Sequence, residues 1–149
     1  MEKHPVGEIK DDDLRVHTID LDCTLKDGEV LVRTEMISLD PTHRVWMSGK
    51  ETYLPGMKLG DVMRAGCVGH VVKSKDPKLP IGTLVGGMSG VQEYFIPQTM
   101  TADRRMFSGV SPLPASLPHS NFLSLFAPHI GGTAYTGTVD ICGKNVVPG

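Results

Sequence analysis

Turn-forming residues cut this chain into short pieces, and that punctuation limits what it can fold into more than any other feature. Seventeen glycines and eleven prolines are spread over 149 residues. Lys26-Asp27-Gly28, Leu54-Pro55-Gly56, Leu79-Pro80-Ile81-Gly82 and Met88-Ser89-Gly90 are the clearest turn sequences. Between such signals lie brief runs in which apolar and β-branched residues alternate: Leu14–Ile19, Glu29–Leu39, Ala65–Lys73, Thr83–Gly87 and Gln92–Ile96. Runs this short have no room for long amphipathic helices, and period-two alternation is what a half-buried strand requires. The spacing therefore predicts an antiparallel barrel or sandwich rather than a βαβ array. No internal repeat, heptad or low-complexity tract is present, which excludes solenoids and coiled coils.

A chain of 149 residues suits one domain that buries roughly two-thirds of its unfolded surface. With 40% hydrophobic and 21% charged residues it has the composition of a globular protein with a packed core. Net charge is −2, and Lys and Arg form no dense basic stripe, which argues against nucleic acid as a partner. Met1-Glu2-Lys3-His4-Pro5 contains no apolar signal core, and no segment reaches the roughly 18 apolar residues of a spanning helix. A cytoplasmic protein with no membrane partner is expected. Cys23, Cys67 and Cys142 are odd in number and far apart, without a Cys-x-x-Cys pair, so three reduced thiols are expected rather than a disulfide framework or structural zinc.

The last third differs in character. Prolines at 112, 114, 118 and 128 bracket Ser116–Phe126, which suits one short helix capped by Ser116 or Ser120. Ala134–Ile141 suits a second, entered through Gly131-Gly132, with Thr133 as its N-cap and Gly143 as its C-cap. The final Lys144-Asn145-Val146-Val147-Pro148-Gly149 reads as a loop leading onward.

Paired carboxylates, a Ser/His/Asp set and a glycine-rich dinucleotide loop are all lacking, so the residues by themselves stop at a β-rich domain. Resemblance goes further. Leu25-Lys26-Asp27-Gly28-Glu29-Val30-Leu31-Val32-Arg33 and Ile37-Ser38-Leu39-Asp40-Pro41-Thr42-His43-Arg44 resemble the first strands of zinc-independent, NADPH-dependent medium-chain reductases that act on activated double bonds. These include prostaglandin, alkenal and curcumin reductases. Leu59-Gly60-Asp61-Val62-Met63-Arg64-Ala65-Gly66-Cys67-Val68-Gly69 is similar to the family's Leu-Gly-Glu-Val-Met-Arg-Gly-Gly-Gly-Val-Gly. Pro80-Ile81-Gly82-Thr83-Leu84-Val85, Val91-Gln92-Glu93-Tyr94 and Gly132-Thr133-Ala134-Tyr135-Thr136-Gly137 continue the match in order.

The resemblance implies a mainly β fold, a GroES-like partly open β-barrel with a few short helices, lacking the Rossmann domain that follows in full-length members. Residues 1–127 would form the substrate-side domain and 128–149 a connection to the nucleotide-binding domain. Most cofactor contacts of a full-length enzyme would then lie outside these residues, so this chain alone is expected to bind NADPH poorly. Zinc is not expected. Zinc-dependent relatives carry a cysteine where Asp40 stands and Gly-His-Glu where Ala65-Gly66-Cys67 stands, and His43, His70 and His129 are too scattered to replace them.

The implied chemistry is hydride delivery to the β-carbon of an enone or enal, with a hydrogen-bond donor stabilising the enolate. Tyr53 stands where the family has a pocket tyrosine; as a residue alone it reads equally as a half-buried barrel aromatic. Pro41, Thr133 and His129 fall at positions that face the nicotinamide end of the cofactor in relatives. Asp40 and Arg44, four residues apart, are expected to form an ion pair that shapes the same loop. The family's Asp-Pro-Tyr-Met-Arg is Asp40-Pro41-Thr42-His43-Arg44 here, which removes one aromatic wall and changes substrate preference. Trp46 has no evident counterpart, and Val91 stands for a tryptophan common in relatives. The alternative is a non-catalytic GroES-like binding or assembly module, and in either case self-association as a homodimer through an exposed sheet edge is expected.

Overall fold

Alternation of β-branched and apolar residues is used in one antiparallel sheet, seen in the computed structural model, which describes residues 1–52, 54–97, 109–124 and 131–143. The elements in chain order are β1 (Val30–Ile37), α1 (Thr42–Trp46), β2 (Gly66–Ser74), β3 (Leu84–Met88), β4 (Tyr94–Phe95), β5 (Val110–Pro112), α2 (His119–Leu123) and α3 (Thr133–Tyr135). A π-helical turn, Thr136–Ile141, follows α3 directly. The five strands lie in the order β4-β1-β2-β3-β5 and every pairing is antiparallel. The sheet is open, which is the expected mainly β, partly open architecture.

Four of the five expected strands are present within a residue or two of their anticipated bounds. Leu14–Ile19 is the exception. It joins no strand, and Val16 and Ile19 are 95% and 77% exposed. Apolar alternation makes a strand only where another backbone faces it, and none of the described strands pairs with this run. Conversely, β5 was not expected. It is three residues long and ends on Pro112, at the sheet edge where a missing N–H is tolerated.

The core has three parts. Val30, Val32, Cys67, Val71, Val85 and Phe95 cluster on the sheet, with Val32 and Val85 fully buried. Val68, Leu84 and Phe122 form a second cluster, so α2 is held to the sheet by its one buried aromatic. A third, methionine-rich cluster of Met1, Trp46, Met47, Leu54, Met57 and Met63 fills the space under α1 and the long β1–β2 connection. Burying each such side chain contributes about 1.5–3 kcal/mol.

Both helix-capping expectations fail. Helix α2 begins at His119 after an N-cap at Pro118, whose ψ of 137° is extended, so Ser120 lies inside the helix, and no side chain caps it. The anticipated end at Phe126 lies outside the described residues. Before α3, Gly132 is already helical (φ −60°, ψ −46°), which puts Thr133 within the first turn rather than at the N-cap. The last residue of the helical run is followed by Cys142 as C-cap, one residue before Gly143.

The β1–β2 ladder breaks register twice, between Leu31 and Val32 and between Thr34 and Met36. At the second break Thr34 pairs with Gly69 and Met36 with Val68, which leaves Glu35 as the extra residue of a β-bulge. Gly69 makes this close approach possible, because a Cβ there would lie 2.2 Å from the Arg33 carbonyl oxygen. Gly69→Ala is therefore expected to part the strands at the bulge and cost about 1–3 kcal/mol, read as a lower urea midpoint at unchanged slope.

Candidate functional site

The end of β1 runs into the turn that carries most of the candidate residues. The Ser38 amide donates to Gly66 O at 2.9 Å, pinning the last step of β1 to the first residue of β2. Ser38 is buried, and its hydroxyl donates to Asp40 Oδ2 at 2.7 Å. Asp40 thus closes a two-residue loop, and its carbonyl accepts the His43 amide at 3.0 Å to start α1. Pro41 suits this place because its ring fixes a helical φ, here −55°, and its lack of an N–H costs nothing at a helix start. Pro41 is exposed.

Arg44 does not turn to Asp40. Its guanidinium donates to the carbonyl oxygens of Pro5 and Gly7, both at 3.0 Å, so the expected ion pair is not what orders the loop. The arginine ties the N-terminal segment onto α1 instead, and the His4 ring contacts Met47 O at 2.9 Å beside it. Trp46, which the sequence left unexplained, is the buried anchor of α1 and packs against the His43 ring with centroids 5.3 Å apart. His43 Nδ1 accepts the Asp40 amide at 3.2 Å. The Pro41 turn is thus braced from inside by tryptophan and from outside by arginine.

Thr133 lies on the exposed helical segment near the other end of the chain. Gly132, Thr136, Gly137 and Ile141 share its face of this segment. No described residue of 131–143 enters any of the three apolar clusters. Pro41 and Thr133 therefore sit on elements that share no core. Tyr53 and His129 lie outside the described residues.

Cys67, at the position where zinc-dependent relatives carry part of their metal motif, is buried in the sheet core. Burial pushes its thiol above the ordinary value, and hydrogen bonding to Ser89 and to the Gly87 backbone opposes this only in part. A neutral buried thiol is a poor ligand and a poor nucleophile. Among the described residues no group of three or more His, Cys, Asp or Glu is placed to hold a metal ion, and no helix is long and apolar enough to cross a membrane.

A cluster that sequence reasoning missed forms around the bulge. Glu35 Oε1 accepts from Arg33 Nη2 at 3.2 Å and faces His70 Nδ1 at 2.9 Å, while Oε2 faces His119 Nδ1 at 3.3 Å. Burial disfavours the Glu35 carboxylate, but hydrogen bonds with His70 and Arg33 and the nearby charges of His70 and His119 outweigh that. Its carboxyl is held below the usual glutamate value. The available signal was two charges, Arg33 and Glu35, interrupting a β-branched run.

Comparison with known proteins gives one matching family, described as the N-terminal domain of oxidoreductase, over residues 1–104. Prostaglandin reductase 1 of Bos taurus is 33% identical over 143 residues, covering 96% of this chain and 40% of that protein. NADPH-dependent curcumin reductase of Escherichia coli (strain K12) is 38% identical over 115 residues, 77% of this chain and 31% of that one. The crystal structure of CurA in complex with NADPH from Vibrio vulnificus matches 93% of this chain and 39% of its own at a TM-score of 0.77 and 28% identity. The chain thus spans about 40% or less of the length of these relatives.

Arg44→Gln should release the N-terminal segment. Losing charged donors to two carbonyls costs about 1–2 kcal/mol, seen as roughly tenfold faster tryptic cleavage after Lys10 and Arg15. Glu35, whose folded value is depressed, contributes stability that is present above the ordinary value of 4.5 and is lost as pH falls through the lowered one. Glu35→Gln should therefore lower the neutral-pH plateau of a stability-versus-pH curve and flatten its acid limb, while changing little at pH values below the lowered one.

Proposed function

This chain belongs to the medium-chain oxidoreductases, in the branch of the prostaglandin and curcumin reductases, and from that membership we propose that it is the substrate-side part of an NADPH-dependent, zinc-independent reductase of activated C=C bonds. Residues 1–127 would form the substrate-side domain and 128–149 the connection to a nucleotide-binding domain, working in the cytoplasm on a small apolar carbonyl compound. The observation that most supports this is the likeness to CurA in its NADPH complex, which extends over 93% of this chain.

The residues present suit the nicotinamide end of that cofactor. Pro41 offers an exposed ring on a braced turn, and Thr133 stands on the exposed face of a helical segment with Gly132, Thr136, Gly137 and Ile141. His129 is the third residue of this set. When bound, NADPH supplies the hydride that reaches the β-carbon of the enone.

What this chain does is position and polarise. Pro41, held by the Ser38–Asp40 hydrogen bond and by Trp46 of α1, would pack against the nicotinamide. Thr133 would hydrogen-bond the nicotinamide end of the cofactor. Tyr53, close in sequence to the buried Leu54, donates its phenolic hydrogen to the carbonyl oxygen, where negative charge grows as the enolate forms. Asp40 and Arg44 act on the turn, not on the substrate. Thr42 and His43 stand where relatives have an aromatic wall, so the substrate preference differs from theirs.

The test is oxidation of NADPH in the presence of an α,β-unsaturated ketone by the protein that carries this chain, compared with its Tyr53→Phe variant. Loss of an oxyanion donor lowers kcat by about 10²-fold, with a much smaller change in KM. An unchanged kcat would remove Tyr53 from the mechanism, and no ketone-dependent oxidation at all would leave the binding-module reading standing.

A further inference from the structure

Two glycines and a histidine close the loop that carries Tyr53. Gly49 follows α1 with a φ of +69°, and Gly56 ends the Leu54-Pro55-Gly56 turn. A Cβ on Gly56 would run into Gly49 O, so the two glycines meet backbone to backbone and bring the ends of the loop 49–56 together. His4 covers Gly49 as well: a Cβ there would stand 2.7 Å from the imidazole Nε2 and 2.8 Å from Nδ1, so the ring fills the space that a side chain would need. Within the loop the Thr52 amide donates to Leu54 O at 3.0 Å, and Leu54 is buried in the same cluster as Trp46. From this arrangement we infer that His4 is a positioning residue, which fixes the Tyr53 loop relative to α1 and acts on the reaction only through Tyr53; the inference rests on the reductase reading.

The ring is tied to α1 at the same time. His4 Nδ1 lies 2.9 Å from Met47 O, and since a carbonyl only accepts, Nδ1 carries the proton. Met47 is the C-cap of the helix that Pro41 opens, and its carbonyl is one of those a helix leaves unpaired at its end. His4 thus supplies a hydrogen bond that α1 cannot make for itself, while its ring covers the start of the Tyr53 loop. The chain on either side of His4 leaves it little freedom. Pro5 is buried and its carbonyl is held by Arg44. Met1 is buried in the cluster of Trp46 and Leu54, and its carbonyl accepts the Gly60 amide at 2.8 Å. A strap fixed on both sides presents the imidazole in one place, which is the support that a precisely held site requires.

The consequence for the proposed reaction is a matter of ångströms. A phenol stabilises a growing oxyanion only when its hydrogen meets that oxygen at hydrogen-bond distance, and a displacement of about 1 Å costs as much as about 10²-fold in rate. Removing the ring leaves a void over Gly49, whose backbone is free to take other conformations, so the loop loosens at its base. The apolar core is untouched, because His4 belongs to none of the three clusters. The effect therefore falls on kcat through Tyr53, not on global stability or on the hold on NADPH.

The protein that carries this chain is assayed for enone-dependent oxidation of NADPH as native, His4→Ala and His4→Asn, each also combined with Tyr53→Phe. His4→Ala should lower kcat about tenfold with little change in KM for NADPH, and His4→Asn, which keeps an N–H for Met47 O, should recover most of that loss. With Tyr53→Phe already present, His4→Ala should cost less than about twofold more, because both changes remove the same hydrogen bond. A native kcat in His4→Ala, or an equal loss in both backgrounds, overturns the inference. Amide hydrogen exchange of this chain gives a readout that needs no activity. Thr52 should exchange about tenfold faster in His4→Ala, while Val71, whose amide bonds Thr83 O, keeps its native rate. Unchanged exchange at Thr52 overturns the brace whatever the kinetics show. A native protein that oxidises no NADPH with the enone sinks the reductase reading instead, and Thr52 then still decides whether His4 holds the loop.

Discussion

Everything near the proposed active turn depends on how closely β1 and β2 approach each other. Gly66, Cys67, Val68 and Gly69 are all buried, and the small residues among them let β1 lie where a larger side chain would push it away. That contact does two things at once. It fixes the Ser38 amide onto Gly66 O, so the Asp40–Pro41 turn leaves the sheet at a defined point. It also accommodates the extra residue at Glu35, which a looser ladder would absorb as an ordinary slip in register. The turn and the charged cluster are consequences of one piece of backbone geometry.

Local pattern was legible in the sequence wherever the physics is local. Alternation identified β1 to β4, and Lys26-Asp27-Gly28 marked the turn before β1, where Gly28 takes a φ of +82°. The resemblance was legible because its motifs run collinear over most of the chain. What failed needed a partner elsewhere. Leu14–Ile19 has the pattern of a strand and no neighbouring ladder. Asp40 and Arg44 have the spacing of an ion pair, but the carbonyls of Pro5 and Gly7, some forty residues away in sequence, hold the guanidinium. Ser116, Ser120 and Thr133 are good capping residues, yet where each helix starts was decided by the backbone of Pro118 and Gly132.

The candidate site was legible to a different degree at each residue. Pro41 is exposed on the turn that opens α1, and Trp46 is the buried residue of that helix. Glu35, His70 and His119 were invisible as a set, because a bulge shifts the face of every residue beyond it and no spacing rule places a strand glutamate against a histidine 84 residues further on.

The Pro41 turn and the Thr133 segment differ in how firmly they are held, and the difference bears on the chemistry proposed. Hydride transfer demands that donor and acceptor be aligned to within a fraction of an ångström. The Pro41 turn is fixed by its own packing, through Ser38, Trp46 and Arg44. The helical segment with Thr133 presents Tyr135 and Ile141 at 62% and 71% exposure and contributes to none of the three cores. Its hold on the described sheet begins with Gly131, which donates to Ser124 O at 3.1 Å, immediately after α2. The seating of α2 is therefore one determinant of where Thr133 stands, whereas the Pro41 turn is set by contacts of its own.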